Sequence, residues 1–192
     1  MASDSHRATE VFNEVPLERQ HAWMVFLQAY KVVIDEVEDV LDGAADLTLP
    51  EFEVLAWLYY REDRRMRMQD VAEMLLLSKG RVSRLIAGLE SDGCVRREVF
   101  DADRRGVFAV ITDKGAALFE KAATVFVNAY NRTFSRHLSD EDVVQINGLM
   151  EKIVVGNGRI AFIRPCDDID LARTTGVAAS AGSWLRADNE AL

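Results

Sequence analysis

Two cysteines, three prolines and three histidines are few for a chain of 192 residues. Cys94 and Cys166 lie far apart without CxxC spacing, which excludes a disulfide framework and a thiolate zinc site. The histidines (His6, His21 and His137) have no partners at ligand or triad spacing, and GxGxxG, P-loop, HExxH and nucleophile-elbow motifs are all missing. Neither an enzyme nor a bound metal or cofactor is therefore expected. No uncharged run of about eighteen apolar residues is present to span a membrane. Residues 1–16 mix Asp, His, Arg and Glu and lack the apolar segment of a secretory signal, so the expected compartment is the cytoplasm.

What is present is enough apolar material, 49% of residues, for a core in one domain with an appendage or in two small ones. The net charge of −9 argues at first against a nucleic-acid partner. Its distribution argues the other way: residues 61–105 carry a net of +2, leaving −11 on the remainder. An acidic body with one locally basic segment suits a protein that meets phosphates with a single face.

Apolar periodicity predicts a long helix over Leu17–Leu41, ended by Asp42 and Gly43. Thr48 then stands at an N-cap, with Pro50 just inside a helix that runs to about Tyr60. After a charged break at Arg61–Arg65 come a short helix (Met68 to about Leu75), a two-residue turn, and a helix capped by Ser78 and stopped by Gly93. Val- and Phe-rich runs over Cys94–Phe100 and Val107–Ile111 flank a polar turn and read as a β-hairpin. Thr112 caps a long helix to about His137, and Ser139 with Asp142 forms a capping box for a last helix. After Val155 no period is sustained.

The order is that of a mainly α protein with a small β-hairpin wing: a winged helix-turn-helix plus helices for dimerisation. The expected divisions are an N-terminal arm (1–16), a dimerisation helix (17–47), the winged helix-turn-helix (48–112), two dimerisation helices (113–155) and a tail of unassigned role (156–192). The helix after the turn offers Ser78, Lys79, Gly80, Arg81, Ser83 and Arg84 opposite Val82, Leu85, Ile86 and Leu89. In a helix-turn-helix this face enters the major groove, where Arg and Lys take guanine edges and Ser and backbone N–H groups hold phosphate. Basic residues on a helix face are also common as plain solvated surface. The hairpin tip adds Asp103, Arg104 and Arg105: two arginines suited to a minor groove, and an acid placed to orient one of them.

Leu49–Pro50, the run MQDVAEMLLLSKGRVSRLIAGLESDGCVRR, and then DADRRG and ITDKG resemble the MarR (multiple antibiotic resistance regulator) family over about residues 17–155. The resemblance implies a DNA-binding transcriptional regulator, a repressor, that holds double-stranded, pseudo-palindromic operator DNA as a homodimer and responds to a small effector, aromatic or anionic. Ser78, Lys79, Arg81 and Arg84 match recognition-helix positions, and Asp103, Arg104 and Arg105 match the wing. Three features depart from the family pattern: Met68 stands where Thr or Ser is usual, Cys94 replaces a common Leu, and the tail is long. The effector pocket that the resemblance implies has His21, Trp23, Tyr30 and Trp57 as candidates, although aromatics at helical spacing also serve simply as core. Cys94, between recognition helix and wing, is the candidate for an oxidant response. The competing reading is a winged-helix module that binds protein without specific DNA binding, which the overall acidity favours.

Overall fold

The computed structural model describes residues 14–99 and 106–159. Among them are six α-helices and a three-stranded antiparallel sheet. Helix α1 spans Leu17–Ala45 and α2 Leu49–Tyr60; strand β1 is Arg65–Arg67; α3 is Met68–Met74 and α4 Lys79–Ser91. Strands β2 (Val95–Val99) and β3 (Val107–Ile111) precede α5 (Asp113–Thr133) and α6 (Asp140–Gly156). The sheet order is β1-β3-β2, with Met66 and Arg97 both opposite the buried Ala109.

Three boundaries differ from the sequence expectation. Helix α1 runs through Asp42 and Gly43 and stops where Asp46 adopts a left-handed conformation (φ 52). The Asp46 N–H bonds back to the Asp42 carbonyl (2.9 Å), and Leu41 and Leu47 are buried on either side. Burial of Leu41 thus carries the helix past its glycine. Strand β1 falls within and just beyond the stretch read as a charged break; of its three residues only Met66 is buried, too short a pattern to show alternation. Helix α5 ends at Thr133 and not near His137, and Ser135–His137 form a separate 3-10 turn. There Phe134 leaves helical geometry (φ −126, ψ −68), while the Thr133 hydroxyl donates to the Ala129 carbonyl at 2.8 Å.

The core joins the second half of α1 to α2, α4, the inner face of the sheet and most of α5. Leu41, Leu55, Leu58, Ile86, Leu89 and Phe119 are fully buried there. Phe52 locks α2 onto α5 by stacking on Phe119 (5.4 Å) and Phe126 (4.5 Å). Among the described residues two surfaces remain uncovered. The first half of α1 exposes Leu17, Trp23 and Tyr30, and α6 buries no side chain. No helix among the described residues is long and apolar enough to cross a membrane.

Candidate nucleic-acid interface

The turn between α3 and α4 is made by Leu76 in a left-handed conformation (φ 53), which non-glycine residues adopt at a cost of about 1–2 kcal/mol. Packing supports it: Leu77 donates its N–H to the Ala72 carbonyl (3.0 Å) and tucks against the core. Ser78 follows in extended geometry and caps α4, its Oγ accepting from the Arg81 N–H at 3.4 Å. The buried Val82, Ile86 and Leu89, four and three residues apart, fix the rotation of α4 about its axis. In consequence Ser78, Lys79, Gly80, Arg81, Ser83 and Arg84 are all exposed on its cap and first two turns. A Cβ added at Gly80 would meet nothing within 4 Å, so the backbone there is open to an approaching surface.

Charge separates this helix start from the others. Each of the other five helices has an acid in its first turn; α4 has none, and carries Lys79 and Arg81 there. Unmasked N–H groups and the positive end of the macrodipole add to those cations, giving an anion-attracting end. Asp103, Arg104 and Arg105 lie outside the described residues. The strands leading toward them pair as far as Val99 opposite Val107.

The far end of α4 is held by contacts that sequence reasoning missed. Gly93, in a left-handed conformation (φ 71), and Cys94 return their N–H groups to the carbonyls of Glu90 (3.0 Å) and Leu89 (2.8 Å), the expected glycine stop. The carbonyls of that turn are then taken by the start of α5. Thr112 Oγ1 donates to Gly93 (2.7 Å), the Thr112 N–H to Cys94 (3.0 Å), and Lys114 Nζ to Asp92. The TDKG run signals a helix cap in sequence, but its partners some twenty residues away have no sequence signal. On the outer sheet face, which was also not singled out, the guanidiniums of Arg65 and Arg67 each lie 5.5 Å from the Phe108 ring centre.

Cys94 is buried, and burial pushes its thiol pKa up against the lowering effect of Lys114. A thiol held protonated is a poor nucleophile. Of the effector candidates, His21, Trp23 and Tyr30 are exposed on the first half of α1, while Trp57 is half-buried against the core from α2. Trp23 and Tyr30, seven residues apart, share a side of α1; His21 points away from them. A shallow hollow of about 330 Å³ between α1 and α5 is lined by Val40, Gly43, Ala44, Val125, Asn128 and Arg132, and Arg132 is ion-paired with Glu36. None of the four candidates lines it. Among the described residues no cluster of His, Cys, Asp and Glu is arranged for a metal ion.

Comparison with known proteins agrees with this geometry. The model of the MarR family matches residues 45–106. The HTH-type transcriptional regulator YkoM of Bacillus subtilis is 32% identical over 153 residues, covering 79% of this chain and 96% of that protein. AbsC, a MarR family transcriptional regulator from Streptomyces coelicolor, is 32% identical and superposes with a TM-score of 0.72, covering 75% of this chain and 97% of AbsC. Sco3205 from the same organism, solved in complex with DNA, is 27% identical with a TM-score of 0.71, covering 74% of this chain and 89% of its own.

Proposed function

The chain belongs to the MarR family of transcriptional regulators, which are not enzymes, and from that premise we propose that it is a cytoplasmic repressor. In this reading it binds a pseudo-palindromic operator as a homodimer and responds to a small aromatic or anionic effector. The observation that carries it is the start of α4: capped, free of acid, and presenting Lys79, Arg81 and Arg84 on a rotation fixed by the core.

In this reading α4 lies in the major groove. Arg81 and Arg84 read base edges, Lys79 and Ser83 meet phosphate or base, and Ser78 and Gly80 bring the backbone close to the DNA. Arg104 and Arg105 enter the adjacent minor groove, with Asp103 orienting one of them. Two copies place their α4 helices about one DNA turn apart, roughly 34 Å. An effector that binds better to one lobe arrangement shifts that spacing and so changes operator affinity. His21, Trp23, Tyr30 and Trp57 are the side chains proposed for its pocket.

The test is binding of the purified protein to duplex DNA from immediately upstream of its own gene, titrated with salt. Tight binding that weakens steeply with salt, and is absent with unrelated DNA, supports phosphate neutralisation plus sequence reading. Replacing Arg104 and Arg105 by Ala abolishes operator binding if the wing acts as described. The net charge of −9 favours a second reading, a winged-helix module that binds protein. Absence of binding to either duplex at low salt, with folded, dimeric, effector-free protein, would favour that reading over the first.

A further inference from the structure

Recognition by a helix and a wing together requires that the two keep a fixed relation, and one side chain in this fold ties them directly. Arg97 lies in the middle of β2, opposite Ala109, two residues before the last described pair of the wing stem. Its guanidinium donates from one terminal nitrogen to the backbone carbonyl of Ser83 (2.8 Å) and pairs through the other with the Glu90 carboxylate (3.0 Å). The second Glu90 oxygen accepts the Arg97 backbone N–H at 3.1 Å. Ser83 and Glu90 are seven residues apart, two turns along the same side of α4. A single arginine therefore holds two residues of α4 whose backbone positions lie about 10 Å apart along its axis, by the rise of 1.5 Å per residue. Ser83 is flanked by Val82, which holds α4 to the core, and Arg84, which is exposed on the proposed DNA face.

We propose that Arg97 is a positioning residue for DNA recognition, with Glu90 as its anchor. The pair fixes the depth and rotation of α4 relative to the wing without itself touching DNA. This rests on the DNA-binding reading above. Each terminal nitrogen of the guanidinium engages a protein acceptor, and each Glu90 oxygen engages Arg97. A planar fork is needed to hold the carbonyl and the carboxylate at once; an ammonium ion holds one well.

Glu90 separates this proposal from simple electrostatics. Deleting an acid beside a DNA-binding face strengthens binding if charge alone matters; deleting an anchor weakens it. The probes are the operator that wild-type protein enriches from a random duplex library, and a random duplex of the same length. Glu90→Ala is expected to lose about tenfold in operator affinity, the scale of one charge-assisted hydrogen bond, while binding random duplex as well as wild type or better. Arg97→Lys, which keeps the charge, is expected to show a similar operator loss and an unchanged salt slope. In both variants backbone amides from Ser83 to Arg97 exchange faster, while those of α2 and α5 do not change. Operator binding by Glu90→Ala equal to or tighter than wild type would overturn the proposal, as would full rescue by Arg97→Lys or equal loss on both duplexes. If wild-type protein enriched no sequence, the DNA-binding reading itself would fail. Enrichment by wild type with unaffected variants would overturn the clamp alone.

Discussion

A methyl group added at Gly115 would stand 2.1 Å from the Cys94 carbonyl oxygen and 3.0 Å from an Ile111 side-chain carbon. The first neighbour is backbone in the turn that ends α4, so relief requires α5 to move off that turn. Gly115→Ala is therefore expected to cost about 2 kcal/mol or more, measured as a fall in the urea midpoint. Gly80→Ala makes the opposite case. With open space around it and a helical backbone, alanine there should stabilise the free protein by up to about 1 kcal/mol. It should nonetheless weaken operator binding if DNA backbone approaches that spot; unchanged affinity would remove Gly80 from the interface. Cys94 is expected to leave operator affinity unaltered under peroxide, because burial keeps its thiol protonated. At this scale the sequence was informative where the cause is local. Gly93 follows the last buried position of α4, where a left-handed residue is needed, and Ser78 precedes its first. The role of Gly115 depends on the turn after α4, twenty-odd residues upstream, and spacing carries no trace of that. Arg97 was equally silent, one arginine of an adjacent pair on a strand.

Helices declared themselves through their apolar spacing and their caps, and the errors fall where tertiary contacts override local signals. Gly43 is a good local stop, yet buried Leu41 and Leu47 hold the chain helical past it until Asp46 turns. Strand β1 has three residues and one inward side chain, and exists because β3 offers it an edge. The caps themselves can be tested. Thr48 donates its N–H to the Glu51 carboxylate at 2.9 Å, and Ser139 does the same to Asp142 at 2.9 Å. Hydrogen bonds from the Ser139 side chain, and then from its backbone, hold the Asp142 carboxyl below its ordinary 3.8. A depressed carboxylate pKa contributes stability that is fully present above 3.8 and lost as pH falls through the lower folded value. Asp142→Ala should therefore speed exchange of the Ser139 amide at neutral pH. The difference from wild type should shrink as pH drops below 3.8. A difference that persists in acid would show that the box does not act through the ionised carboxylate. Thr48→Ala is expected to cost about 1 kcal/mol in global stability, because α2 is packed into the core and cannot fray alone.

At the scale of the whole molecule, the described residues complete one core and leave two apolar surfaces uncovered. Trp23 is 58% exposed on α1, and Leu149 and Ile153 are each 54% exposed on α6. Helix α6 has a capping box and an amphipathic pattern, but none of its side chains is fully buried. A helix with an apolar stripe and no partner among the described residues is marginal in water, so the stripe calls for a covering surface. In the proposed homodimer a second copy supplies the same stripe related by a two-fold axis, and a stable contact of that kind buries on the order of 1,000 Å² or more. The stripe itself was legible in the sequence because it is periodic, whereas which part of α1 is covered depends on α5 and could not be read. The proposed homodimer leads to a definite expectation for the double variant Leu149→Asp, Ile153→Asp. Since neither side chain is buried in the protomer, the core of α2, α4 and α5 should stay folded, with near-native helicity and a cooperative melt. Sedimentation should show monomers at concentrations where wild type is dimeric. Operator affinity should fall by about a hundredfold or more, because each half-site is then bound without the millimolar effective concentration that a linked second module provides. A half-site duplex, by contrast, should bind the variant and the wild-type protein with similar affinity. A variant that remained dimeric would move the interface away from α6. One that lost half-site and full-site binding in the same proportion, while staying folded, would mean that dimerisation shapes each recognition helix as well as pairing two of them.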